Sequence, residues 1–208
     1  MSNPWLNIPA SDYEGHMNLP EVDQLSFLAT EFKQALKRNI CTSVAYFGCA
    51  TGNGIEYIDP EITKRLTVID LNPEYLEILR SRYRKLVPHI EIVQADLNNL
   101  DMQNPNYDVI FASLIFEYLE PFSLLQKITS WLSANGKMIV ILQQPDINNK
   151  IVSETPYKSL NSLKSIMKLH HASDFITLAS QAGLVEIENK NIVLKSGKTF
   201  YIGTFQSV

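Results

Sequence analysis

Cysteine is nearly absent, with two residues, Cys41 and Cys49, in a chain of 208. Two thiols make neither a disulfide framework nor a four-ligand zinc site. Of four histidines only His170 and His171 adjoin, and neighbouring residues on a helix point in different directions. No metal centre is expected. Apolar runs of membrane-spanning length are also missing, and the opening stretch MSNPWLNIPASDYEGHMN carries prolines and acids where a secretory leader needs an apolar core. A reduced, cytoplasmic setting without a membrane is therefore the expectation. Long basic runs are absent too. The formal net charge is −4, and the most basic segment, Lys150 to His171, holds four lysines and one glutamate. Phosphate neutralisation needs clustered cations, so nucleic acid is a poor partner and a solvated face the better reading of that segment.

What is present is ordinary for a globular protein, at 45% hydrophobic and 19% charged residues. No internal repeat or low-complexity tract breaks the chain. An irregular start leads into LPEVDQLSFLATEFKQALK, where Val22, Leu25, Leu28, Phe32, Ala35 and Leu36 fall at helical spacing. The period then changes. TSVAYFG, RLTVIDLN, IEIVQADLNNL, YDVIFASLIFEYL and KMIVILQQP read as five buried strands, separated by a brief helical stretch before Pro60, by PEYLEILRSRYRKL and by PFSLLQKITSWLSANG. Pro73 suits the first turn of its helix, and Gly136 reads as a helix stop. Strands alternating with helices imply a parallel sheet covered on both faces. The ending differs: a helix, ASDFITLASQAGL, precedes two strand-like runs around Ser196-Gly197, which read as an antiparallel hairpin. Residues 146 to 170 form a long connection of the kind that often serves as a lid.

Chemistry is expected at the carboxyl ends of the strands. Gly48, Gly52 and Gly54 follow the first strand, where a ligand can approach the backbone and meet amide N–H groups. Asp70 ends the second strand, placed to accept from ribose hydroxyls or to cap the next helix. Asp96 ends the third, as a ligand acceptor or an Asx turn. Asp108, at a strand entrance, is structural. The turn spacing is G-x-x-x-G-x-G, unlike the dinucleotide fingerprint G-x-G-x-x-G. Short-chain dehydrogenases share that spacing but need Tyr with Lys four residues later, and none of the nine tyrosines here has it. No Gly-Lys-Ser/Thr comes after the turn, which excludes a P-loop.

SVAYFGCATGNG, LTVIDLNPEYLEILRSR, IEIVQADLNNL and YDVIFASLIFEYL, in that order and spacing, resemble the core motifs of class I S-adenosylmethionine-dependent methyltransferases. The resemblance has motif detail over about residues 40 to 145 and extends to the C-terminal region by architecture. It implies a Rossmann-like, doubly wound, mostly parallel seven-stranded sheet with a C-terminal antiparallel hairpin and helices on both faces. Residues 1–208 would form one domain: an N-terminal cap and helix (1–39), a cofactor-binding core (40–145), the lid-like connection (146–170), and a helix with the terminal hairpin (171–208). It implies S-adenosylmethionine as cofactor, with Tyr46, Gly48, Cys49, Ala50 and Gly52 beside its methionine and ribose portions. Asp70 and Leu71 would hold the ribose, Asp96 and Leu97 the adenine, and Ser113 and Leu114 would line the passage near the sulfonium. Two positions depart from the family pattern: Tyr46 stands where an acid is usual, and Ala50 where glycine is common.

The expected reaction is methyl transfer by in-line displacement, in which the protein aligns and excludes water. A general base is needed only where the acceptor must lose a proton. Glu117, His16 and Tyr13 are candidates for substrate-facing roles; Glu117 reads equally as an exposed helix-start acid. Tyr13, His16 and Met17 of the N-terminal segment either close the pocket, or Trp5 and Tyr13 pack on the sheet. His170 and His171 read as a surface pair. Acidic balance plus two covers favours a small-molecule acceptor, in a monomer or homodimer. The alternatives are an enzyme acting on protein or RNA, with an open cleft, and a non-catalytic relative of the fold.

Overall fold

The computed structural model describes residues 3–39, 41–83, 85, 90–103, 105–147 and 151–208. Seven strands form one sheet: β1 (Ser43–Phe47), β2 (Arg65–Asp70), β3 (Ile90–Gln94), β4 (Tyr107–Ser113), β5 (Leu132–Gln143), β6 (Leu184–Val193) and β7 (Thr199–Ser207). Their spatial order is β3-β2-β1-β4-β5-β7-β6. The pairs from β3 through to β5 are parallel, whereas β7 runs antiparallel to both β5 and β6. This is the expected Rossmann-like architecture, terminal hairpin included. The chain leaves β3 at one edge and returns to β4 beside β1. The strand order therefore reverses between β1 and β4, which opens a crevice at their carboxyl ends.

Side chains alternate across the central strands and build two cores. Val44 and Tyr46 of β1 join one, with Phe32 of α2 (Gln24–Arg38) and Leu76 and Leu79 of α3 (Pro73–Tyr83). Ala45 and Phe47 join the other, with Leu125 and Ile128 of α4 (Pro121–Trp131) and Phe175 of α5 (Ala172–Gln181). Both faces of β1, β2 and β4 are thus covered, so these strands read as continuous apolar runs. Among the described residues no helix is long and apolar enough to cross a membrane.

Two local expectations are corrected, and a third, the brief helical stretch before Pro60, is found as a short 3-10 helix. The start of the chain is not irregular: after a 3-10 turn at Pro4–Asn7, residues Ala10–Met17 form a helix, α1. Its buried positions, Ala10, Tyr13, His16 and Met17, do follow helical spacing. Gly15 and the polar His16 break the apolar stripe that would have marked it. The 3-10 helix before Pro60 spans Ile55–Tyr57. And α4 stops at Trp131, not at Gly136, because Leu132 is already extended (φ −74°, ψ 144°) and β5 starts there.

Gly136 has another reason to be glycine. Tyr107 pairs with Leu132, but Val109 pairs with Lys137, so the intervening part of β5 bulges. A Cβ at Gly136 would lie 2.4 Å from the Tyr107 carbonyl oxygen and 2.8 Å from the Ser133 nitrogen, both backbone atoms that cannot swing aside. Asp108 seals this end of the sheet, accepting from the Ser43 N–H at 3.0 Å and the Ser133 hydroxyl at 3.2 Å. Gly136→Ala is expected to cost about 1–3 kcal/mol, the range for forced overpacking. Urea denaturation of the variant beside the wild type measures it.

Candidate functional site

Two loops meet at the switch point. The turn after β1 runs through Gly48 (φ 64°), Ala50 (φ 46°), Gly52 (φ 94°) and Gly54 (φ 90°), all in the left-handed region. Ala50 holds that conformation without glycine's freedom, at a cost of about 1–2 kcal/mol. Four amides of the expected cradle are turned into the protein. Gly48 and Cys49 donate their N–H groups to the Ile69 carbonyl, Ala50 to Asp70, and Gly52 to the Cys49 carbonyl. The loop then leads into the 3-10 turn Ile55–Tyr57, too short for a helix N-terminus that attracts anions. It offers close backbone approach, not a phosphate site.

The second loop comes after β2. Asp70 accepts from Ala50 N–H at 2.8 Å and from Asn72 N–H at 2.9 Å. Asn72, not Asp70, caps α3: its side-chain oxygen accepts from Glu74 N–H at 2.9 Å. Asp70 is thereby left facing the crevice. Burial pushes its carboxyl pKa up, and the amides of Asn72, Ala50 and Leu71 pull it back only in part. A carboxylate has lone pairs beyond those two bonds, and further hydroxyl donors would complete its stabilisation.

A cavity of about 160 Å³ occupies the crevice. Its walls include Tyr46, Gly48 and Ala50 from the first loop, Asp70 and Leu71 from the second, Asp96 and Leu97 after β3, and Ser113 and Leu114 at the end of β4. Cys49 and Gly52, also expected there, are not on the wall. Cys49 is buried in the core, and Gly52 faces Tyr83 and Leu79. Asp96 Oδ1 does close an Asx turn, accepting from Asn98 N–H at 2.9 Å, while the residue stays on the cavity wall. Leu114 sits at the mouth with φ 54°, a strained conformation for a leucine.

Tyr46 has a packing explanation. It is buried beneath α2, with ring centroids 4.8 Å from Phe32 and 5.2 Å, edge to face, from Phe111. A carboxylate there would lose its hydration among aromatic rings, which is costly without a partner. The phenol interacts with Ser113 at the cavity wall.

Two covers lie over the crevice. Trp5, Tyr13, His16 and Met17 all line it from the N-terminal segment. The pocket-lining reading of Tyr13 holds, and the ring partners are not on the sheet: Trp5 meets Tyr118 of a 3-10 turn edge to face at 5.2 Å, and Tyr13 packs 5.4 Å from Tyr75 of α3, both on the wall. Glu14 clamps α1 to the first loop and to α3, accepting from Thr51 Oγ1 at 2.5 Å and twice from Arg82, at 2.5 and 3.0 Å. The second cover is residues 151–167, with a 3-10 helix at Lys158–Ser165; residues 148–150 of the expected lid lie outside the described residues. Ser159 donates to Asp12 at 2.5 Å, the Tyr157 ring fits against Gly15, and His16 Nδ1 lies 2.9 Å from Thr155 Oγ1. Burial, then Lys198, holds the His16 pKa down to about 4, so this ring is neutral near pH 7.

The remaining candidates divide. Tyr13 and His16 line the cavity, but Glu117 does not. It is buried behind the end of β5, with Oε1 accepting from Gln143 N–H at 2.8 Å and Oε2 without a partner among the described residues. His170 Nε2 sits 3.1 Å from the Phe116 carbonyl oxygen and off the cavity wall; His171 is exposed and precedes α5. Sequence reasoning missed Gln143 and Lys198, both buried and both on the wall. A lysine beside a hairpin turn reads as solvated, and no local signal distinguishes it.

Residues 44–136 match the family described as "Methyltransferase domain". That stretch, a little under half of the chain, is similar to a methyltransferase domain. A comparison of sequences with curated proteins returns no match. Solved structures share the fold at low identity. The N-methyltransferase NodS from Bradyrhizobium japonicum WM9, in complex with S-adenosyl-L-homocysteine, superposes with a TM-score of 0.72 at 17% identity, covering 99% of each chain. An S-adenosylmethionine-dependent methyltransferase from Mesorhizobium loti gives 0.68 at 15%, covering 86% of this chain and 97% of that one. The [4+2]-cyclase SpnF gives 0.67 at 12%, covering 88% and 81%. Structures similar to this fold thus include a protein named for other chemistry, and the fold alone does not decide the reaction.

Two outcomes test the site's electrostatics and its clamp. Burial pushes the Glu117 carboxyl up to about 7. Between the ordinary carboxylate range and that pH the native state keeps a proton that the unfolded chain releases, so stability falls as pH rises through this window. Relative to the wild type, Glu117→Gln should gain on the order of 2 kcal/mol more at pH 8 than at pH 4.5. Paired denaturation curves at the two pH values check this. Glu14→Gln, which keeps the Thr51 bond but weakens both Arg82 bonds, should speed amide hydrogen exchange over α1 by roughly threefold to tenfold, with α4 and α5 unchanged.

Proposed function

We propose that the chain is an S-adenosylmethionine-dependent methyltransferase whose acceptor is a small molecule held in the covered cavity. The observation that carries the reading is the pairing of an incompletely satisfied Asp70 with a cavity overlaid by two covers. A protein or RNA acceptor would need an open cleft. A small acceptor suits a partly covered, mostly apolar pocket with few polar groups.

The residues fit the cofactor. Asp70 would accept from the ribose hydroxyls with the lone pairs that the Ala50 and Asn72 amides leave. Asp96 would accept from the adenine amino group through the oxygen outside its Asx turn, and Leu97 would flank the ring. At Gly48 a Cβ would strike Ile115 at 2.3 Å, so the loop lies close against the β4 mouth and leaves the space beside it to a ligand. When bound, S-adenosylmethionine supplies a methyl carbon activated by a positive sulfur. Ser113 and Leu114 border that carbon's path, and Trp5, Tyr13 and the 151–167 strap keep water out. His16 is neutral and sits 2.9 Å from Thr155 Oγ1 through Nδ1. In the tautomer with its hydrogen on Nδ1, Nε2 is free to take a proton from an acceptor that must lose one.

Calorimetric titration with S-adenosylmethionine and S-adenosylhomocysteine, with NAD as control, tests the first step. Micromolar binding of both adenosyl ligands and none of NAD is expected. Asp70→Ala should weaken binding at least tenfold, given about 1.5–3 kcal/mol for hydrogen bonds to a charged group. A folded wild type that binds neither adenosyl ligand would end the methyltransferase reading. Binding without turnover across an acceptor screen would leave the non-catalytic relative.

A further inference from the structure

Lys198 is, among the described residues, a buried cation with no carboxylate beside it. It is 5% exposed, lines the cavity, and precedes β7 at the end of the terminal hairpin. Its ammonium donates to Gln143 Oε1 at 3.2 Å and to the Ile151 carbonyl at 2.9 Å. Gln143 Nε2 also donates to Ile151, at 3.0 Å, so the three groups hold one another in place. Glu117, the acid beneath Gln143, accepts instead from that residue's backbone N–H. The neighbouring titratable group in the cavity is His16, held neutral in part by this lysine.

An ammonium has three N–H donors, and two are used here. Burying a charge with neutral partners alone is costly, and burial holds the Lys198 pKa down to about 8. The amine is still charged near pH 7, and an incoming anion would restore the missing pair. Its place on the sheet says which ligand that is. Asp70 ends β2, while Lys198 immediately precedes β7, four strands along the order β2-β1-β4-β5-β7. At about 4.8 Å per strand that is roughly 19 Å. The cofactor reading puts the ribose at Asp70 and the reacting carbon by β4, so Lys198 lies beyond the reacting carbon, on the acceptor's side.

We infer that Lys198, oriented by Gln143 and Ile151, is an acceptor-binding residue that seats the carboxylate of an apolar-bodied acid. This rests on the methyltransferase reading. One free N–H suits a single-charge carboxylate better than a phosphate dianion, which takes several donors. The cavity that Lys198 shares is mostly apolar, with Met17, Leu28, Val152, Leu160 and Met167 in its lining, so the body of the acceptor is hydrocarbon or aromatic.

The test uses matched probes on the full chain, monitored by chemical-shift titration at pH 7 with and without saturating S-adenosylhomocysteine. The probes are phenylacetate against phenylacetamide and hexanoate against hexanamide. In the wild type each carboxylate should bind at least tenfold more tightly than its amide. Lys198→Met, close in shape and uncharged, should erase that preference, and Lys198→Arg should retain it. Affinity for S-adenosylhomocysteine should change less than twofold in both variants. Equal binding of acid and amide by the wild type, absence of carboxylate binding, or a preference that survives in Lys198→Met overturns the assignment. So does a tenfold loss of S-adenosylhomocysteine affinity in Lys198→Met, which would give the lysine to the cofactor's own carboxylate. A wild type that fails to bind S-adenosylhomocysteine sinks the methyltransferase reading separately, because the acid-to-amide ratio is measured without it as well.

Discussion

The Asp70 carboxylate joins two loops that the chain enters about twenty residues apart. One oxygen takes the Ala50 N–H and the other the Asn72 N–H, so the glycine turn after β1 and the turn into α3 share a single anion. Without it the Ala50 backbone, already in a left-handed conformation, would have a buried donor and no acceptor. Asn72 depends on the same arrangement. With its own N–H held by Asp70, its side chain caps α3 and also donates to the Trp5 carbonyl at 2.9 Å. The N-terminal cover is thus hung, through one asparagine, from the residue at the centre of the proposed cofactor site.

That linkage explains why the covers and the loops form one unit. Tyr75, in the first turn of α3, donates to the Ile8 carbonyl at 2.9 Å, and Glu14 reaches both Thr51 and Arg82. The strap then closes on α1 through Thr155, Tyr157 and Ser159. Hydrogen bonds at such partly exposed covers contribute about 1 kcal/mol each, strong enough to favour closure and weak enough to open for ligand exchange. Local opening of this kind is drawn from the less stable parts of a structure.

The two departures from the family pattern acquire physical meaning from their surroundings. Tyr46 belongs to an aromatic cluster with Phe32 and Phe111, so the position serves the core beneath α2 while its hydroxyl reaches the cavity wall. Ala50 is a strained residue stabilised by Asp70. Neither can be understood from the turn alone, because the rings and the carboxylate that explain them come from other elements.

Everything written in a local period or a local turn is legible in the chain itself. Continuous apolar runs between amphipathic helices specify a covered parallel sheet, three glycines specify a loop of positive φ, and Ser196-Gly197 specifies the final hairpin, because each depends on residues within one element and its neighbours. Weak local signals displace boundaries: Gly136 looks like a helix stop but answers to Tyr107 across the sheet, and α1 is hidden by Gly15 and His16. Which polar groups share a cavity is a matter of the folded arrangement alone. Folding puts Lys198 and Gln143 beside His16, takes Glu117 out of the cavity wall, and turns the loop amides inward. These placements arise from strand order and from which faces the helices cover, and such long-range packing leaves no periodicity in the chain to read.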